Sequence, residues 1–304
     1  MTTTPFGENL RGIVLVSACN LLFLVCDTLL KLASAELPLT EIIFLRGFFV
    51  TPLLLLLVMA TGAHRQVAHL WNWSVLFRTI AEIFAACLFL FALFHIPIAN
   101  ANAILQIVPL MITAAGAIFL GEAVGWRRWT AIAVGFVGVL VVVRPGLAGF
   151  DAYSLYALAS MLFITLRDMT TRLMPAGLPA LLVALVTGAA VGVSGPVFAL
   201  VLGQPWVVPS WQSLGLIFVA AFFLIGGYVT AVEFMRHGDI SVVAPFRYTV
   251  ILWAMIVGFI VWRDVPDWPM LLGTAIIIAT GVYTFHRERN MARLRAEAAS
   301  GEGL

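Results

Sequence analysis

Apolar runs of about 20 residues dominate this chain, and at 1.5 Å rise per helical residue each can span a hydrocarbon core of roughly 30 Å. The runs are separated by breaks such as "AELPLT", "TGAHRQ", "HIPIAN", "RPGLAGFDAY", "GQPWVVPS" and "WRDVPDWP". They delimit roughly ten spans, near 10–33, 40–61, 72–94, 99–121, 127–143, 152–173, 180–201, 211–235, 241–262 and 268–286. A backbone in lipid must satisfy its own hydrogen bonds, and no run alternates as a barrel strand does, so the spans are expected to be helices. Composition agrees: 62% of residues are hydrophobic and 11% charged, against about 25% charged for a soluble domain. The predicted class is an all-α membrane protein with about ten transmembrane helices.

Arg11 followed by "VSAC" resembles a lipoprotein cleavage box, but "LLFLVC" carries the apolar run past the cysteine, so the first helix is expected to be retained. Arg11, Arg65, Arg127, Arg128, Arg172, Arg236 and Arg287 fall on one side if the N-terminus is cytoplasmic, while Lys31, Arg144 and Arg263 fall on the other. That asymmetry predicts both termini in the cytoplasm of a bacterial-type inner membrane. A net charge of +2 is too small to suggest a nucleic-acid partner. Cys19, Cys26 and Cys87 lie within apolar runs and predict neither disulfide nor metal site. The tail 288–304, ending "RAEAASGEGL", has too little apolar content to pack and is expected to be disordered.

The chain also matches itself. A shift of 141 residues places Asp27 on Asp168, Lys31 on Arg172, Pro38 on Pro179 and Gly47 on Gly188. A shift of 142 places His95 on His237, Glu122 on Asp264 and Trp126 on Trp268. Residues 1–146 and 147–287 are therefore expected to be two copies of one helical unit. An odd number of helices per copy would insert the second upside down, a device of secondary transporters with a site near the midplane.

Four segments carry a family resemblance: "LPLTEIIFLRGFF" (37–49), "ILQIVPLMITAAGAIFLGE" (104–122), "GFVGVLVVVRPG" (135–146) and "APFRYTVILWAMIVGFIVWRD" (244–264). In this order and spacing the chain resembles the EamA family of the drug/metabolite transporter superfamily, across nearly its whole length and in two copies. The resemblance implies a ten-helix metabolite exporter, with amino acids, aromatic ones among them, as the substrate class. The second copy departs from the pattern: Ile251 stands where Pro109 would recur, and Trp262, Arg263 and Asp264 stand where Gly-Glu is expected. Pro245 offers an alternative break.

Charges left in lipid cost several kcal/mol, about 3 on insertion scales, so those inside spans should face the bundle interior and find partners. Asp27 with Lys31, Asp168 with Arg172, and Arg78 with Glu82 are spaced i,i+4 on one helical face. In the structural reading these pairs neutralise one another and long side chains snorkel to the interface. In the functional reading two ionic layers, one near each surface, make and break contacts during transport. Asp27, Lys31, Arg46, Glu82, Asp168, Arg172 and Glu233 are the gating or coupling candidates, with Glu82 also a candidate proton carrier.

Candidates for the substrate cavity are polar or aromatic groups in mid-span: Asn20, Phe23, Asn102, Gln106, Tyr228, Arg247, Tyr248 and Trp253. Asn20 and Asn102 equally suit interhelical hydrogen bonding. Arg247 suits a substrate carboxylate, which prefers a guanidinium fork. No GxxxxGK[ST] loop is present, the five His lie at span ends or loops, and no catalytic set is expected. The function expected is secondary export of a small metabolite by a monomer without cofactors. A passive channel is the alternative, with an intramembrane enzyme behind it.

Overall fold

A computed structural model describes residues 6–122, 125–147, 150–175, 177–234 and 244–301, with side chains described for 10–67, 70–122, 125–147, 150–175, 177–231 and 245–287. The elements are α1 (Phe6–Ala33), α2 (Leu39–Ala60), a 3₁₀ segment (Ala63–Leu70), α3 (Trp73–His95), α4 (Ile98–Leu105), α5 (Val108–Phe119) and α6 (Trp126–Val143). They continue as α7 (Ser154–Arg172), α8 (Ala180–Leu202), α9 (Trp211–Phe234), a second 3₁₀ segment (Ala244–Tyr248), α10 (Thr249–Trp262) and α11 (Trp268–Gly301). The described residues form helices joined by short connections, as the apolar runs predict. Among the described residues nine helical stretches are long and apolar enough to cross a membrane, α4 with α5 counting as one. The more polar α7 carries Arg167, Asp168 and Arg172 and lies against α3.

Two expectations need correction. The tail expected to be disordered from residue 288 continues α11 as helix to Gly301, consistent with its Ala, Arg, Glu and Leu content, all good helix formers. The span read as one helix over 99–121 is two, broken at Gln106 and Ile107. Pro109 stands in the first turn of α5 and has no N–H to donate back towards α4. The "HGDIS" connection at 237–241 lies outside the described residues.

Helix pairing is antiparallel: α1 lies on α9, α2 on α8, α3 on α7 and α6 on α11. The pattern survives exchange of each helix for its counterpart in the other half, since α1·α9 becomes α7·α3 while α2·α8 and α6·α11 map onto themselves. The break repeats too. Gln106, at the end of α4, corresponds by the 142-residue shift to Tyr248, where the 3₁₀ segment gives way to α10. Pro245 lies inside that segment, so the second break keeps its place although Ile251 replaces the proline.

Even the caps match. After α5 the Glu122 N–H donates to Gly116 O at 3.2 Å, and after α10 the Asp264 N–H donates to Gly258 O at 3.2 Å. Each turn uses a left-handed residue, Gly121 (φ 66°) and Arg263 (φ 60°); the arginine adopts it at a cost of about 1 kcal/mol.

Two ends of the bundle result. One gathers Glu36, Asp151, Asp264 and Asp267 with Arg144 and Arg263, and is called here the acidic end. The other gathers Arg65, Arg127, Arg128, Arg172 and Arg287 with Glu122, and is called the basic end. At the acidic end the loop after α8 folds over the start of α2, where the Val207 N–H donates to Glu41 Oε2 at 3.0 Å and Trp206 Nε1 donates to Thr40 Oγ1 at 3.0 Å. Glu41 is thus buried as a loop anchor.

Candidate functional site

The two helix breaks bring Gln106 and Tyr248 into the wall of one cavity of about 410 Å³ at the basic end. A broken helix exposes backbone and side chains that a continuous helix would hide, a geometry tolerated at membrane depth only where it lines a cavity or is covered by protein. Pro109, Leu110, Ile112 and Phe285 supply the apolar wall, Thr113 and Thr284 add hydroxyls, and Arg128, Arg172, Arg247 and Glu122 supply charge. Gly281 makes room for the ring of Tyr248: a Cβ there would lie 1.6 Å from the phenol oxygen. Asn20 holds the second break from α1, its Nδ2 donating to Phe246 O at 3.2 Å, Arg247 O at 3.0 Å and Thr249 Oγ1 at 3.2 Å. It therefore fixes the segment that carries Arg247 and Tyr248.

A second cavity lies at the acidic end, between Pro97, Asn100, Gly258, Asp264 and Met270, and encloses only about 130 Å³. Of its two acids, Asp264 and Asp267, the first is the counterpart of Glu122 in the larger one. Behind it the Lys31 ammonium donates to Ile96 O, sits 5.1 Å above the Trp262 ring and interacts with the charge of Asp264.

The intramembrane ions find partners both between helices and along them. Lys31 turns to the contacts just described, while the charge of Asp27 interacts with Arg46 on α2. Asp168 accepts from its neighbour Arg167 at 2.8 Å, and Arg167 also reaches Glu82 on α3 at 3.0 Å. Arg172 pairs with Glu122 at 3.5 Å. Arg78 donates to Thr171 Oγ1 at 3.0 Å and interacts with the charge of Glu82. Arg46 feels the charges of both Asp27 and Glu82. Arg46, Glu82 and Tyr228 line a space of only about 20 Å³, room for about one water.

Of the eight cavity candidates, Gln106, Arg247 and Tyr248 line the larger space. Phe23 packs edge-on against Tyr228 with ring centroids 5.6 Å apart, so this pair belongs with the ionic network. Asn102 is buried and donates within α4 to Ile98 O at 2.9 Å. Trp253 is exposed on α10 and lines none of these cavities, because the face of α10 that packs inwards carries Val250, Ile251, Ala254 and Gly258. The side chain of Glu233 lies outside the described residues.

The EamA-like transporter family matches residues 10–144. Three named relatives align with this chain over most of its length. An S-adenosylmethionine uptake transporter of Rickettsia conorii is 24% identical, covering 90% of this chain and 91% of the relative. A pseudopaline exporter of Pseudomonas aeruginosa is 26% identical, covering 88% and 93%, and a riboflavin transporter of Vibrio cholerae is 24% identical, covering 93% and 98%. A solved crystal structure shares the fold with a TM-score of 0.62 at 16% identity, covering 89% of this chain and 96% of that one. The apolar helices and these alignments indicate a multi-pass membrane protein, and the relatives' names span import and export of unlike solutes.

In the sequence Glu122 and Asp264 stand only as repeat markers and Arg128 only as a topology signal. Their one legible hint was the 142-residue match. Arg167 joins Glu82 to Asp168.

Proposed function

We propose that this transporter is a secondary active exporter of small metabolites, with amino acids as its substrate class, working by alternating access. The observation that carries the reading is the cavity of about 410 Å³ in which Gln106, Tyr248 and Arg247 meet at the two helix breaks. Arg247 offers a guanidinium fork to a substrate carboxylate. Phe285, Tyr248 and Leu110 offer an apolar wall to a side chain, and an aromatic one suits two ring neighbours.

The basic end is cytoplasmic by the positive-inside rule, which puts both termini inside and opens the larger cavity to the cytoplasm of a bacterial-type inner membrane. Residues 1–146 and 147–287 act as oppositely inserted repeats, a reading supported by the exchange symmetry of helix pairing and by the matched breaks. The monomer suffices, since both halves contribute to the cavity. Asp27, Arg46, Glu82 and Asp168 are the coupling network, and Lys31 and Arg172 the gating cations.

The test is counterflow into proteoliposomes with a panel of labelled amino acids, with Arg247→Ala as control. Saturable exchange of aromatic amino acids that falls at least tenfold in the variant is expected. Equal flux in both would remove Arg247 from the substrate site, and flux that never saturates would favour a channel.

A further inference from the structure

Gly281, Thr284 and Phe285 share one face of α11, at i, i+3 and i+4, and all three line the larger cavity. The phenol of Tyr248 rests directly on Gly281: an added Cβ there would overlap the hydroxyl oxygen and Cζ and lie 3.0 Å from Cε2. The 142-residue shift equates Tyr248 with Gln106 and Gly281 with Val139. The second half therefore carries the larger residue at its helix break and the smaller one on its last helix, so glycine makes up for the bulk of the ring.

The ring is the part of this contact that can yield. Asn20 holds the Phe246 and Arg247 carbonyls and the Thr249 hydroxyl, which fixes the backbone on either side of Tyr248. Gly281 lies inside a continuous helix. Among the described residues the Tyr248 hydroxyl has no hydrogen-bond partner, so packing holds the ring, and the open space beside it is the cavity of about 410 Å³.

We infer that Tyr248 and Gly281 together set the size of solute this cavity accepts, an inference that rests on the transporter reading of the same cavity. The ring parked on Gly281 leaves room for an aromatic side chain, and a ring forced off it takes that room away. Small-molecule sites enclose about 300–1,000 Å³, and a misfit of one methylene in an apolar pocket discriminates about 10- to 200-fold.

The experiment has two readouts. In counterflow, Gly281→Ala is expected to lower exchange of phenylalanine and tryptophan at least about tenfold while alanine and serine stay within about threefold of the parent. Adding Tyr248→Ala should restore the aromatic substrates, since a side chain without a ring needs no seat. The second readout needs no substrate: Thr113→Cys, with Cys19, Cys26 and Cys87 replaced by alanine, is labelled in detergent with a small and a bulky thiol reagent. Gly281→Ala should slow the bulky reagent about tenfold and leave the small one unchanged, and adding Tyr248→Ala should bring back at least the parental rate. Tyr248→Ala alone should speed the bulky reagent about threefold or more. Equal slowing of both reagents, or of neither, would overturn the size filter, as would a double variant as slow as Gly281→Ala. If Gly281→Ala gives no folded monomer, Tyr248→Ala decides, and bulky labelling at the parental rate overturns the filter. Size-dependent labelling in a protein that exchanges no amino acid would leave the filter standing and count against the substrate reading alone.

Discussion

Arg167 on α7 reaches Glu82 on α3 at 3.0 Å while its Nε donates to Asp168 at 2.8 Å, so one guanidinium holds two carboxylates from two helices. Glu82 is 14% exposed and Arg167 26%. Removing one partner of such a pair strands the other charge, which typically costs about 3–5 kcal/mol. Glu82→Ala is expected to destabilise the detergent-solubilised protein on that scale, and adding Arg167→Leu should recover more than half of the loss. A thermal-unfolding double-mutant cycle measures it, and additive losses would mean that the pair is not coupled.

Gly47 and Gly192 meet where α2 crosses α8: a Cβ on Gly47 would lie 2.3 Å from Gly192 Cα. Neither backbone can move aside cheaply. Gly47→Leu should lower the yield of folded monomer and cost about 3 kcal/mol or more, as overpacking does. At Gly188 a Cβ would find Leu54 at 3.6 Å and Val50 at 3.8 Å, ordinary contact distances. Gly188→Ala is therefore expected within about 1 kcal/mol of the parent. Size-exclusion profiles and unfolding midpoints compare the two.

Asn20 uses its amide to bind two carbonyls and one hydroxyl of the 244–249 segment. Asn20→Ala should cost about 1 kcal/mol in stability, the usual net worth of such bonds. Its larger effect should fall on substrate affinity, because Arg247 and Tyr248 lose their support. A raised KM in proteoliposomes with near-parental folding is the expected result. Unchanged KM would show that the broken helix holds itself.

Two carboxylates at the acidic end lie below their ordinary pKa. Glu36 is lowered by hydrogen bonds from the Ser210 hydroxyl, then the Ser213 hydroxyl and the Ser210 N–H. Asp267 is lowered chiefly by its hydrogen bond with Arg144. A carboxylate lowered in the folded state stabilises the fold above its unfolded pKa of about 4, and that contribution is lost as pH falls through the lower folded value. Unfolding temperature should thus drop from about pH 4 downwards, and the double variant Glu36→Gln, Asp267→Asn should show a shallower drop. Parallel curves for parent and variant would assign the acid loss to other groups.

The apolar runs fixed the number and length of spans, because a hydrocarbon slab leaves a backbone few alternatives to a helix of that length. The 141- and 142-residue shifts also fixed which residues are counterparts, and Gln106 with Tyr248, Glu122 with Asp264 and Gly121 with Arg263 all kept that relation in the structure. The break within 99–121 went unread as two helices, although Pro109 signalled it, since a proline in a membrane helix can also be absorbed by a kink.

Partner choice among the charges was decided only by the tertiary structure. The i,i+4 spacing offered Lys31 to Asp27 and Arg172 to Asp168, yet such neighbours on one helix gain only about 0.2–0.5 kcal/mol. A contact between helices satisfies a charge in a low-dielectric interior, where leaving it unpaired costs several times more, about 3 kcal/mol or above. Lys31 therefore turned to Ile96 and Trp262, Arg167 to Glu82, and Arg172 to Glu122, according to which helices the antiparallel pairing had set side by side.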